Sequence, residues 1–309
     1  MSSQPFTVGI VQDAAAATAA EALAAAAARI REAAARGAQI ICLKELFAAP
    51  YFCKVEQAER FDLAEPVPGP TTDAMQALAR ELAVVLIVPL FERQAPGVYR
   101  NSAAVIDADG ALLGVYRKMH IPDDPLFLEK YYFAPGDGVP DRTLDPRRVA
   151  QASGFRVWKT RYADIGVLIC WDQWYPEAAR ITALLGAEVL FYPTAIGWHP
   201  AEKAAFGPAQ VEAWRTMQRA HAIANGVFVA SPNRVGFEAE PGTDGLEFFG
   251  HSFISDPFGR LLADAGTDPD ILIARCDPRL IEDTRRNWPF LRDRRNDAYA
   301  PILNRYLGP

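Results

Sequence analysis

The sequence predicts an α/β protein built as a four-layer α-β-β-α sandwich. Three observations point there. Strand–helix–strand alternation recurs in both halves of the chain, an Asp-Gly hairpin makes the sheets mixed and not purely parallel, and several strand segments are apolar along most of their length and need cover on both faces. With 309 residues, of which 50% are hydrophobic, the chain can bury a large core without disulfides or metals. No polar, Pro/Gly-rich linker divides it, so a single domain over residues 1–309 is expected, ending in a C-terminal arm from about 285 to 309.

Each element has its own signal. Residues 6–11 are short and partly β-branched, a strand pattern. The alanine-rich tract 14–37 is interrupted by Thr18, Glu21, Arg29, Arg31, Glu32 and Arg36, which suits an ordinary helix and not a membrane span. Residues 38–43, bounded by Gly37, complete a β-α-β unit. A helix over 71–82, opened by Gly69-Pro70-Thr71, and a strand over 84–91 form the next cycle. Segments 101–106 and 111–116 flank Asp107-Ala108-Asp109-Gly110, whose Asp-Gly end favours positive φ and a hairpin. In the second half, strand 164–169 leads to helix 176–185, with Pro176 at its start and Gly186 as its stop, and then to strand 189–192. A helix over 209–225 and a strand over 227–230 follow. Strands 248–254 and 260–263 are joined by Asp256-Pro257-Phe258-Gly259, and 271–276 closes the set. The tail to Tyr306 mixes aromatics with charges, either packed on its own subunit or crossing to a partner.

Composition excludes several functions. The formal charge of -6 argues against a nucleic-acid footprint or a polybasic membrane surface. The opening MSSQPFTVGIVQD lacks the pattern of a secretory leader, so a cytoplasmic address is expected. Cys42, Cys53, Cys170 and Cys276 are widely spaced, and His120, His199, His221 and His251 have no metal-ligand spacing, so neither a disulfide framework nor a zinc site is indicated. No phosphate-cradling P-loop, dinucleotide glycine fingerprint or serine nucleophile elbow occurs.

What recurs is a reactive side chain at the carboxyl end of a strand, where open α/β sheets place their ligand crevices: Glu45, Lys118 and Cys170. Singly, each has an ordinary reading, a small buried hydrophobe for Cys170 and a strand-end charge or ion pair for the others. Together they are an acid, a cation and a nucleophile. Cys170 precedes the helix starting near Pro176, so the turn and the positive helix end favour its thiolate. A free thiol is only a few per cent ionised at neutral pH, so a neighbouring base is still required.

The segments LKELF around Glu45, YRKMHIP around Lys118 and GVLICWDQWYPE around Cys170 resemble the Glu-Lys-Cys motifs of the nitrilase, or carbon-nitrogen hydrolase, superfamily. KMHIPDDPLFLEKYYFAPGD, YPTAIGWHP, AWRTMQRAHAIANGVFVASPNRVGFE and RRNWPFLRDRRNDAY extend the resemblance from Val8 to Tyr306, to the branch acting on N-carbamoylputrescine. It implies the nitrilase-type sandwich, a homo-oligomer and no metal or organic cofactor. It also implies a small carbamoyl amine substrate cleaved through an S-carbamoyl enzyme to putrescine, carbon dioxide and ammonia. In that reading Glu45 is the base, Cys170 the nucleophile, and Lys118 with the backbone N–H of Trp171 the oxyanion donors, while Glu129 assists Lys118 or the substrate amide. Asp123, Asp124, Asp172, Glu238, Trp171 and Trp198 are candidates to bind the far ammonium. Asp172 and Glu177 next to the nucleophile favour an amine tail over a carboxylate one. Hydrolases of N-carbamoyl amino acids, including β-ureidopropionase-like ones, aliphatic amidases and a catalytically silent oligomeric scaffold are the alternatives.

Overall fold

The computed structural model describes residues 4–138 and 154–308. Its first half contains β1 (Phe6–Gln12), α1 (Ala19–Ala35), β2 (Ile40–Cys42), α2 (Pro70–Leu82), β3 (Val85–Ala95), β4 (Val98–Ile106), β5 (Leu112–Arg117) and α3 (Glu129–Tyr132). The second contains β6 (Val157–Lys159), β7 (Asp164–Val167), α4 (Pro176–Leu184), β8 (Val189–Phe191), β9 (Gly197–Trp198), α5 (Pro200–Asn225) and β10 (Phe228–Ser231). It ends with β11 (Val235–Glu238), β12 (Leu246–Phe249), β13 (Phe253–Ser255), β14 (Leu261–Asp264), β15 (Asp270–Cys276) and α6 (Arg279–Asn287). One six-stranded sheet runs β15-β1-β2-β3-β4-β5 and a second β14-β13-β10-β8-β7-β6, while β11-β12-β9 form a small third sheet.

Period-two alternation gives the first sheet two apolar faces. Ile40, Cys42, Val85, Ile87, Ala103 and Val105 face the second sheet, and Ile41, Leu86, Val88, Ala104 and Ile106 face α1 and α2. Between the sheets, Phe6 of β1 meets Phe228 of β10 edge-on at 6.1 Å. On the far side, Ala178, Ala179 and Ala183 of α4 and Trp214 and Ala222 of α5 pack into the same core, completing the α-β-β-α layers. Burying each large aliphatic side chain here contributes about 1.5–3 kcal/mol.

Local chemistry sets the boundaries. The alanine-rich helix begins at Ala19 because Thr18 and Glu21 form a reciprocal capping box, leaving 14–17 outside it. Helix α5 starts at Pro200, well before the expected residue 209; Pro200 opens it and Pro208 lies inside it. The expected continuous strand 248–254 is broken. Gly250 and His251 adopt positive φ of 65° and 54°, so β12 joins the small sheet and β13 the second large one. β2 runs parallel to β1 and β3, and β7 parallel to β8, so Glu45 and Cys170 both emerge just past carboxyl ends of parallel strands.

Candidate active site

Glu45 follows β2 in an irregular segment whose next residue, Leu46, has φ 49°. Its carbonyls need partners away from water, and Arg234, fully buried, donates to the oxygens of Glu45 (3.1 Å), Leu46 (2.8 Å) and Ala49 (3.1 Å). Lys118 follows β5; its N–H donates to the Asn101 carbonyl (2.9 Å) and its carbonyl accepts from Gly136 (2.8 Å). These backbone bonds aim the lysine inward. Its Nζ lies 2.8 Å from Glu45 Oε1 and 2.7 Å from Glu129 Oε2. Asn101 Nδ2 donates to Glu45 Oε1 (2.7 Å), and the Tyr51 hydroxyl donates to Glu129 Oε1 (2.8 Å). Position alone suggests that Glu129 is a surface charge, but its side chain is 1% exposed and belongs to this cluster.

Cys170 begins a 3-10 turn over Cys170–Trp174 with φ 43°, held by its N–H to the Pro193 carbonyl at 3.0 Å. Burial pushes the thiol well above its ordinary pKa and Glu45 pushes it further, with Lys118 pulling the other way. Desolvation thus opposes the turn and helix end that favour the thiolate, and a partner is needed to take the proton, as the sequence reading expected. Glu45 Oε2 is buried and has no hydrogen-bond partner among the described residues, so one oxygen of that carboxylate is left to accept a proton. Burial opposes the charge on Lys118, but Glu129 and Glu45 outweigh it and hold the ammonium well above its usual value. Glu129 itself is pushed up to about 7, by burial first, against the pull of Lys118.

A cavity of about 550 Å³ opens onto Cys170. Trp171, Trp174, Asp124, His199 and Glu202 are on its wall, and among the described residues no lysine or arginine lines it. Trp171 is second in the 3-10 turn, where amide N–H groups have no partner within the helix. Of the predicted ammonium ligands, the structure places Asp124 and Trp171 on this wall and takes the others elsewhere. Asp123 lies 3.9 Å from Lys130 on the surface. Asp172 is fully buried and saturated by Ile169, Tyr116 and His120. Trp198 donates to the Gly207 carbonyl at 3.1 Å, and the Lys203 ammonium already sits 4.7 Å above its ring. Glu238 is bound by Arg234 at 2.8 Å and by the Tyr51 amide at 2.6 Å, which holds its pKa below the ordinary value although burial pushes the other way. Glu202 was missed because the expected helix began after it. Asn101 and Tyr51 carry no sequence signal, being one strand residue and one loop residue that only folding brings to the cluster.

Two six-stranded sheets between helical layers, with a buried cysteine where parallel strands end, are the architecture of nitrilase-type hydrolases. The carbon-nitrogen hydrolase profile matches residues 7–286, and the chain belongs to that family of amide-hydrolysing enzymes. It is 47% identical over 279 residues to the N-carbamoylputrescine amidase of Solanum lycopersicum, covering 89% of this chain and 87% of that protein. It is 41% identical to the citrullinase of Francisella tularensis subsp. tularensis, covering 90% and 91% of the two chains. The crystal structure of a carbon-nitrogen hydrolase from Helicobacter pylori G27 superposes with a TM-score of 0.90 at 42% identity, covering 98% of this chain and all of that one.

Proposed function

We propose that this enzyme hydrolyses N-carbamoylputrescine to putrescine, carbon dioxide and ammonia, with Cys170 as nucleophile, Glu45 as proton carrier and Lys118 as charge sink. The observation that carries the substrate reading is the wall of the cavity beside Cys170, which presents two carboxylates, Asp124 and Glu202, and, among the described residues, no lysine or arginine. An ammonium tail is attracted there; the carboxylate tail of an N-carbamoyl amino acid is repelled. The tryptophans at the cysteine end offer apolar faces to the methylene chain.

The ureido carbonyl is a weak electrophile because two nitrogens donate into it. Glu45 Oε2 takes the thiol proton as the sulfur attacks the carbonyl carbon, and negative charge gathers on the oxygen, which Lys118 Nζ and the Trp171 amide stabilise. The carbon–nitrogen bond to the diamine then breaks, Glu45 returns its proton to the leaving nitrogen, and putrescine departs from an S-carbamoyl enzyme. Water gives a proton to Glu45 and adds to the thioester-like carbon. The carbon–sulfur bond breaks, the thiolate regains the proton, and carbamic acid decomposes to carbon dioxide and ammonia. Glu129 and Asn101 hold Lys118 and Glu45 in register throughout.

Ammonia release measured side by side on N-carbamoylputrescine, N-carbamoyl-β-alanine, citrulline and a simple aliphatic amide tests this. The expected order places N-carbamoylputrescine first in kcat/KM. A preference for any of the other three overturns the substrate and leaves the reaction type standing.

The fold supports the rest of the reading as a proposal: one domain, acting in the cytoplasm, where four unpaired cysteines remain reduced. The arm exposes Trp288, Ile302, Leu303, Tyr306 and Leu307, an apolar surface suited to a second copy of the chain. Light scattering that gave only the monomer mass at micromolar concentration would remove the homo-oligomer.

A further inference from the structure

One carboxylate ties together the two loops that carry the nucleophile and the lysine. Asp172 is fully buried. Its Oδ2 accepts the Ile169 amide at 2.8 Å and the Tyr116 hydroxyl at 2.7 Å. Its Oδ1 accepts the His120 amide at 3.0 Å and lies 2.6 Å from Nδ1 of the same ring. Ile169 immediately precedes Cys170, whereas Tyr116 and His120 flank Lys118 two residues away on either side. We propose that Asp172 is a positioning residue that fixes the Cys170 sulfur relative to the Lys118 ammonium, an inference that rests on the roles just given to those two groups.

Three observations support it. Both oxygens of Asp172 are occupied and the residue is absent from the cavity wall, so it is not a ligand for the substrate's tail. Cys170 is a non-glycine residue at φ 43°, a strained conformation that persists only where its surroundings over-determine it. The bonds that do so are the Cys170 amide to Pro193, the Asp172 amide to the Ile169 carbonyl at 3.0 Å, and the return bond from Ile169 to the Asp172 carboxylate. On the lysine side, the His120 ring is stacked on Tyr175 at 3.8 Å, just before α4, so it cannot swing away and take its loop with it. Charge-assisted bonds to a buried carboxylate are short and directional, which suits a fixed spacer between two strand ends.

The test uses Asp172→Asn and Tyr116→Phe in the full-length enzyme. Rates are normalised to the folded fraction and to the amount of Cys170 that iodoacetamide can titrate. Misplacement of reacting atoms by about 1 Å costs on the order of 10²-fold. We therefore expect kcat per folded Asp172→Asn molecule to fall about 100-fold with KM changed less than about threefold, and Tyr116→Phe to fall about tenfold. The alkylation rate of Cys170, measured without substrate, falls in both variants, so this arm decides even if N-carbamoylputrescine proves to be the wrong substrate. Wild-type kcat and alkylation rate in folded Asp172→Asn, or a raised KM at unchanged kcat, would overturn the assignment. If Asp172→Asn does not fold, Tyr116→Phe removes a single hydroxyl and decides alone: wild-type turnover and alkylation there sink the proposal.

Discussion

The buried cluster around Lys118, the floor of the site, and the wall of the cavity that opens onto Cys170, its mouth, both carry carboxylates, yet the two regions are built for different work. At the floor, Glu45, Lys118 and Glu129 are at most 1% exposed and bonded at 2.7–2.8 Å. At the mouth, Asp124 and Glu202 are exposed and form no ion pair among the described residues. A pair of unit charges 4 Å apart is worth about 4 kcal/mol at an effective dielectric of 20 but only about 1 kcal/mol in water. Floor charges therefore act on the reacting atoms with fixed geometry, whereas mouth charges attract a tail and are screened by salt. Substitutions at the floor should appear in kcat, and those at the mouth in KM.

The largest effect belongs to the nucleophile and its base. Cys170→Ala should lower turnover by about 10⁴-fold or more, and Glu45→Gln by about 10²- to 10⁴-fold, in steady-state ammonia release. Next comes Lys118→Ala, expected to lose about 10²- to 10³-fold in kcat as an oxyanion donor is removed; wild-type turnover would show that the lysine only holds Glu45. At the mouth, Asp124→Asn and Glu202→Gln should each lower kcat/KM about tenfold through KM, the scale of one charge-assisted hydrogen bond, with added salt narrowing the difference. A mouth variant whose kcat collapsed while KM held would erase the distinction between the two regions.

The smallest effect is on stability. Glu129 binds its proton more tightly in the folded chain, about 7, than at its ordinary value of 4.5. The folded state thus carries more protons than the unfolded state between those values, and stability falls as pH rises through that window. Denaturant titrations of the wild type and Glu129→Gln should show this slope flattened in the variant; identical slopes would mean that the proton is held elsewhere.

Glu45, Lys118 and Cys170 were singled out from the sequence and, with Glu129, joined into one site by the family resemblance; of the mouth, Asp124 and Trp171 were named and Glu202 was missed. Glu45 and Cys170 lie just past the carboxyl ends of parallel strands, where an open α/β sheet forms its crevice, whereas Lys118 follows the antiparallel strand β5. Nothing in the sequence relates Asp124 to Glu202, which line one cavity with α5 starting at Pro200 in spite of Pro208 further along it. Asp172 was misread for a similar reason: an acid beside the nucleophile looks like a ligand until its four contacts fill both oxygens. The broken strand at Gly250 and His251 is likewise a backbone event, because His251 adopts positive φ without being glycine or asparagine.

The most direct measurement is the rate at which iodoacetamide modifies Cys170 at neutral pH in the wild type and in Glu45→Gln, with the labelled cysteine identified by peptide mass. Burial alone makes this thiol a poor nucleophile, so fast labelling of the wild type and labelling slowed about 100-fold in the glutamine variant are expected. Equal rates in the two proteins would mean that the unpartnered oxygen of Glu45 does not take the proton from sulfur, and the account of the floor would fail.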